Sequence, residues 1–201
     1  VRRNAPELSS FVRRMQGCAA RGHWDRLEDW FRQVVEAGLM LDDASFHDVL
    51  KYISKSAGPD GLDALRSWIS HMQNHGVFFT RSVYTTIVQG FSRHKQMDEV
   101  EQWFRKCLAD GWAADVPLVT AVMRGHYYRG EDGPLLRWLD WLEAEGLQPD
   151  KGACRLGLRV CAQKGGVWRA EELLEKMPSW GLEPELHDYN LVLSACCTSK
   201  E

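Results

Sequence analysis

The chain has 201 residues, of which 44% are hydrophobic and 26% charged, and its formal net charge at pH 7 is −3. This composition allows a folded core, but the slightly acidic balance gives no overall signature of nucleic-acid binding. No apolar run is long enough to span a membrane, so we expect a soluble protein without membrane insertion. The six cysteines form no CxxC pair, which predicts unpaired thiols and no metal site.

A spacing of 35 residues runs along most of the chain. The closing dipeptides of successive segments are Gly38-Leu39, Gly76-Val77, Gly111-Trp112, Gly146-Leu147 and Gly181-Leu182. The first interval is 38 residues, and we assign the three extra residues to a loop over 55–61, where Gly and Pro are concentrated. A fixed period of this size indicates stacked supersecondary units. The predicted repeats are 8–42, 43–80, 81–115, 116–150 and 151–185, with a partial sixth repeat over 186–201, all in one solenoid over 1–201.

Each repeat contains two blocks of apolar residues at helical spacing. In the third repeat the first block is Tyr84, Ile87, Val88 and Phe91, and the second is Val100, Trp103, Phe104 and Leu108. The periodic glycine after the second block is suited to ending a helix in the left-handed conformation. No segment alternates as a strand would. We therefore predict an all-α fold, a right-handed superhelical α-solenoid of helix-turn-helix repeats of about 35 residues.

The chain resembles the pentatricopeptide repeat (PPR) family over nearly its whole length, most strongly in the last two repeats. The resemblance is carried by the endings 146–150 (GLQPD) and 181–185 (GLEPE), the restart 189–196 (YNLVLSAC) and the second-helix segment 170–177 (AEELLEKM). It implies a helical-repeat protein that binds single-stranded RNA in the RNA metabolism of a mitochondrion or chloroplast. It also implies a non-enzymatic binder without cofactor or small-molecule substrate, and the sequence contains no nucleophile and base pair, phosphate-binding glycine loop or metal cluster.

The same resemblance assigns base reading to the fifth and last residues of each repeat. The pairs are Val12 with Asp42, His47 with Thr80, Thr85 with Asp115, Thr120 with Asp150 and Arg155 with Glu185, and Asn190 is the fifth residue of the partial repeat. Thr with Asp is similar to the family's guanine-reading pair, which predicts a preference for two adjacent guanines. The aspartates also directly precede first helices, where helix capping alone would account for them.

The first helices and their adjoining turns are free of acidic residues in three repeats. Segments 81–97, 116–130 and 151–170 contain no Asp or Glu, whereas the second helices are acidic. Because one helix set of a solenoid lines the concave surface, this pattern predicts a basic inner surface for a polyanion. The residues expected to contact phosphate are Arg93, Arg124, Arg129, Arg159 and Lys164.

A second function remains open, that of a protein-interaction scaffold in an organellar ribosome or another large organellar complex. The family usually places an aliphatic side chain at the second residue of each repeat, against the base. This chain has Ser9, Ala44, Ser82, Pro117, Gly152 and His187 there. Reduced stacking on the base would weaken RNA reading. Trp24, Trp112, Trp168 and Trp180 lie near turns, where they either pack beneath the turns or contact a protein partner.

Overall fold

The computed structural model describes residues 5–199, and side chains from residue 8 onward. Over these residues the chain forms eleven α-helices and no β-strand, so the prediction of an all-α fold is confirmed. The helices are α1 (Ala5–Arg21), α2 (Trp24–Glu36), α3 (Asp43–Ile53), α4 (Pro59–Asn74), α5 (Arg81–Arg93), α6 (Met97–Ala109), α7 (Val116–Arg129), α8 (Asp132–Ala144), α9 (Lys151–Lys164), α10 (Val167–Lys176) and α11 (Leu186–Thr198), with a 3₁₀ turn at Met177–Trp180.

Odd-numbered helices are the first helices of the repeats and even-numbered helices are the second. From α3 onward, every first helix begins at the residue where the 35-residue period starts a repeat. The helices α2, α4, α6 and α8 end two residues before the periodic glycines, and the 3₁₀ turn after α10 ends one residue before Gly181. These glycines all have positive φ values, from 66° at Gly76 to 86° at Gly111. A residue with a Cβ is strained in this conformation, so the glycines end the helices and reverse the chain.

The three extra residues of the second repeat lie in α4. The first helix and its turn together cover 16 residues in each of the second to fifth repeats, whereas α4 has 16 residues and α6 and α8 have 13 each. The predicted loop over 55–61 was too long at its end, because Pro59 begins α4. Proline suits the first turn of a helix, where its missing N–H has no helical partner to lose.

The chain divides into two compact units, the first ending at Cys107 and the second beginning at Leu108, within α6. In the first unit α3 lies between α1 and α5, and α4 packs against both α3 and α5. Phe31, Phe46 and Trp68 form an aromatic cluster with ring centroids 5.4–6.0 Å apart. The Trp68 indole donates a hydrogen bond of 3.0 Å to the Phe46 carbonyl, which fixes α4 on α3.

In the second unit the first helices α7, α9 and α11 lie side by side, and α8 and α10 pack against them. Leu118, Leu139, Leu158 and Leu173 are fully buried between the two layers. Each fully buried leucine contributes about 1.5–3 kcal/mol through removal of apolar surface from water. The row of first helices is the part of this unit that presents the predicted RNA-binding residues.

No helix in the described part of the chain is long and apolar enough to cross a membrane.

Candidate nucleic-acid interface

The last residues of all five repeats are the N-caps of the following first helices, and in the first four the side chain accepts a hydrogen bond from the backbone of the helix. Asp42 accepts from Ser45 N at 2.9 Å, Thr80 from Val83 N at 3.4 Å, Asp115 from Leu118 N at 3.0 Å and Asp150 from Ala153 N at 2.7 Å. These side chains therefore satisfy backbone N–H groups that the helix leaves unpaired. The hydrogen bonds from Ser45 lower the pKa of Asp42, so this carboxylate is ionised at neutral pH.

The fourth repeat brings its predicted base-reading pair into contact. Thr120 Oγ1 donates a hydrogen bond of 3.3 Å to Asp150 Oδ1, the same oxygen that caps α9. The second carboxylate oxygen of Asp150 has no hydrogen bond within residues 5–199. Thr120 is 4% exposed, whereas Asp150 is half-buried. The pair therefore presents one carboxylate oxygen, held in place by a threonine and a helix N-terminus, to an incoming donor.

The third-repeat residues fall in different units. Thr85 lies in the first unit, where its hydroxyl donates to the Arg81 carbonyl at 3.0 Å and leaves its oxygen able to accept. Asp115 lies in the second unit as the N-cap of α7. Their assignment as a guanine-reading pair stays a prediction.

The first two repeats show weaker pairs. His47 Nε2 lies 3.1 Å from Thr86 Oγ1 and forms no hydrogen bond with Thr80. Burial lowers the pKa of His47, so the ring is neutral at pH 7. Val12 is half-buried and its side chain has no group that forms hydrogen bonds, so Asp42 has no polar partner from the first repeat.

The fifth repeat uses its predicted base-reading residues to join α9 to α11. Arg155 Nη2 donates to Glu185 at 2.6 Å, and Arg155 Nε donates to Asp188 at 2.7 Å. Lys151 Nζ also contacts Glu185, at 2.5 Å. The hydrogen bonds of Arg155 with Asp188, the larger cause, and with Glu185 raise the pKa of Arg155. Arg155 and Glu185 thus satisfy each other, while Asn190 on α11 is exposed.

The predicted phosphate-contacting residues divide into two groups. Arg129 forms an ion pair of 2.9 Å with Glu131, and Lys164 forms one of 3.2 Å with Asp132. Glu131 lies in the turn before α8, and Asp132 is the first residue of α8. The absence of acids from the first helices therefore did not keep Arg129 and Lys164 unpaired. Within residues 5–199, Arg93, Arg124 and Arg159 form no ion pair.

Two features escaped the sequence analysis. Asp188 is fully buried and accepts a hydrogen bond from Glu185 N at 2.9 Å as well as from Arg155. Its place three residues after an acidic N-cap residue is a capping-box spacing that could have revealed it. The second feature is the position of Arg124 over Gly152, which no local sequence signal indicates. Residues 5–199 contain no cluster of three or more His, Cys, Asp or Glu suited to a metal ion.

Comparison with known sequences identifies repeats at two places. The sequence model of the PPR repeat matches residues 82–112, in the third repeat, and residues 158–182, in the fifth. No curated protein matches the sequence.

Several solved structures share the fold. The maize pentatricopeptide repeat protein PPR10 is 23% identical over 90% of this chain and 26% of its own, with a TM-score of 0.65. It is also known in complex with an 18-nucleotide psaJ RNA element. The PPR domain of Arabidopsis thaliana protein-only RNase P 1, in complex with tRNA, is 10% identical over 91% of this chain and 95% of its own, with a TM-score of 0.70.

A third structure, nuclear proteinaceous RNase P 2 from Arabidopsis thaliana, is 12% identical over 94% of this chain and 42% of its own, with a TM-score of 0.71. At these identities the likeness shows the fold, a solenoid of helical hairpins. The chain spans about a quarter of the length of the maize protein.

Proposed function

Because this chain is built of pentatricopeptide repeats, we propose that it binds single-stranded RNA and reads a guanine through Thr120 and Asp150. The observation that carries the proposal is the hydrogen-bonded contact of these two side chains beside the N-terminus of α9. Two of the solved structures with this fold are complexes with RNA, which supports RNA as the ligand class.

The chemistry of the pair favours guanine over adenine. A carboxylate only accepts hydrogen bonds, and the Watson–Crick edge of guanine offers the N1–H and N2–H donors side by side. The same edge of adenine presents an unprotonated ring nitrogen, which would repel the Asp150 oxygen. The Thr120 hydroxyl donates to Asp150 and so fixes which carboxylate oxygen remains to meet the base.

Phosphate contacts would supply the remaining affinity. Arg93 and Arg159 are exposed and form no ion pair in the described part of the chain, so they can meet phosphates without losing a partner. Arg129 and Lys164 are 42% and 68% exposed, and each would exchange a carboxylate for a phosphate. We place this activity in organellar RNA metabolism, and assign no catalytic step to these residues.

The test is fluorescence anisotropy with a uridine oligonucleotide that contains two adjacent guanines, and with the same oligonucleotide carrying adenines instead. We expect tighter binding of the guanine RNA, by about tenfold, since one well-placed pair of hydrogen bonds discriminates by about 1–3 kcal/mol. Affinity should fall as salt rises, because bound phosphates release counterions. Indifference to both base and salt would rule out the proposal.

Asp150→Asn is the decisive variant, because asparagine caps a helix nearly as well as aspartate but offers N–H donors in addition. It should abolish the guanine preference while the helix content stays unchanged. Asp42→Asn is the matched control, since Asp42 caps α3 in the same way but has the apolar Val12 as its partner. The control should retain the preference.

A protein-interaction scaffold is the second candidate, and the second unit gives it specific support. Trp168 is 72% exposed on α10, and Leu186 and Leu193 are 78% and 62% exposed on α11. Large apolar side chains at these exposures are suited to a protein partner. Protein partners that copurify with the chain after nuclease treatment, together with loss of that copurification in Trp168→Ala, would favour this function over RNA binding.

A further inference from the structure

The second residue of the fifth repeat is a glycine that no backbone strain requires. Gly152 lies in the first turn of α9, outside the set of glycines with positive φ. Because Gly152 has no side chain, the space beside its Cα is open, and three groups border it. A Cβ built on Gly152 would lie 3.1 Å from Asp150 Oδ1, 3.5 Å from Thr120 Cγ2 and 3.6 Å from Arg124 Nη2.

Arg124 therefore lies beside the candidate base-reading pair. It follows Thr120 by four residues on α7, which places the two side chains on the same helix face. Arg124 is half-buried, and in the described residues its side chain has neither an ion pair nor a hydrogen bond. Its guanidinium thus lies against the space that a side chain at the second residue would occupy.

We propose that Arg124 is the stacking partner of the base read by Thr120 and Asp150, in place of an aliphatic side chain at position 152. A guanidinium is planar and weakly hydrated, so it stacks on nucleobases as well as pairing with phosphates. The inference deepens the proposed function and rests on it. It also changes the role expected of Arg124, from a contact to phosphate to a contact to the base.

Arg159 provides a matched control from the next repeat. It follows Arg155 by four residues, as Arg124 follows Thr120, and it is exposed without an ion pair in residues 5–199. The base-reading positions beside it are closed by the Arg155 contacts with Glu185 and Asp188. Arg159 is therefore left to contact phosphate alone.

The experiment measures Arg124→Lys and Arg159→Lys against the guanine-containing oligonucleotide and against versions in which each guanine in turn is replaced by an abasic nucleotide. Lysine keeps the charge and removes the plane. We expect Arg124→Lys to bind the guanine RNA about tenfold more weakly, within the range for loss of one stacked base. Against the RNA that lacks the base at this repeat, Arg124→Lys and the unmodified chain should bind equally. Any loss in Arg159→Lys should be the same with and without the base, because Arg159 contacts phosphate alone.

Equal binding of the guanine RNA by Arg124→Lys and the unmodified chain overturns the role given to Arg124 and leaves the proposed function standing. A loss in Arg124→Lys that is the same with and without the base also overturns it, because it would assign Arg124 to the backbone. Absence of RNA binding by the unmodified chain overturns the proposed function as well. Thermal melts of both variants, matched to the unmodified chain, show that the comparison is between folded proteins.

Discussion

Replacing Asp188 with asparagine would test how the fifth repeat holds the start of α11. The Asp188 carboxylate is fully buried and accepts three hydrogen bonds, at 2.7 and 3.4 Å from Arg155 and at 2.9 Å from Glu185 N. Asparagine keeps the shape of the side chain but removes the charge and turns one acceptor into a donor. The amide would then face the Arg155 guanidinium with a group that cannot accept.

The size of the effect follows from what Arg155 retains. Removing one member of a fully buried ion pair costs about 3–5 kcal/mol. Arg155 is 29% exposed and keeps its 2.6 Å contact with Glu185, so its charge stays partly compensated. We therefore expect a loss of about 2 kcal/mol, close to the value for a hydrogen bond to a charged group. In a chain of this size, about 2 kcal/mol lowers the melting temperature by about 4–8 °C.

Urea and thermal unfolding, followed by circular dichroism, measure the loss. Asp132→Asn is the control: it removes a carboxylate from an ion pair whose Lys164 partner is 68% exposed, which costs less than about 1 kcal/mol. Equal losses for Asp188→Asn and Asp132→Asn would refute the reasoning, because burial of Asp188 would then make no difference.

The pH dependence has a definite sign. Burial acts to raise the pKa of Asp188, but the hydrogen bonds from Arg155 and from Glu185 N outweigh it, and the pKa lies below its ordinary value. A carboxyl group with a lowered pKa in the folded state stabilises the protein above its unfolded pKa of about 4. That stability is lost as the pH falls through the folded pKa. The difference in free energy of unfolding between Asp188→Asn and the unmodified chain should thus be largest at neutral pH and should shrink as the pH falls below about 4. A difference that grows toward acidic pH would contradict this.

Two further predictions concern packing and thiol chemistry. Gly90→Ala should destabilise the chain by about 1–3 kcal/mol in a urea titration, because its Cβ would lie 2.7 Å from Leu65 Cδ2. Gly17→Ala is the control: its Cβ would meet no atom within 4 Å, so this variant should be neutral or stabilising. Burial raises the pKa of Cys154 to about 12, so a maleimide at pH 8 should label the exposed Cys196 long before Cys154; peptide mass spectrometry distinguishes the two, and equal labelling rates in the folded chain would contradict the burial.

Local sequence signals determined the secondary structure. The glycine period located the ends of the second helices, because only a residue without a Cβ adopts positive φ without strain. The aspartates at 42, 115 and 150 marked first-helix N-termini, because a short acidic side chain reaches the unpaired N–H groups of the next turn. The loop over 55–61 was misjudged at its end, since Pro59 begins a helix as readily as it ends a loop.

The same period fixed the repeat position of each candidate site residue, but not what its side chain contacts. Thr120 with Asp150 and Arg155 with Glu185 occupy equivalent repeat positions in the sequence. In the structure the first pair leaves a carboxylate oxygen open, and the second is closed by Lys151 and Asp188.

The amino-acid sequence by itself determined that this chain is an all-α array of helical hairpins, because helix ends, turns and apolar periodicity are set by residues a few positions apart. Tertiary structure alone decided which cations remain unpaired, since Arg155 and Lys164 meet acids 30 or more residues away. It also decided that Arg124 lies over Gly152. Such contacts depend on how neighbouring first helices pack side by side. The period of 35 residues fixes the order of these helices along the chain, but it does not fix the position of the charged group at the end of each long side chain.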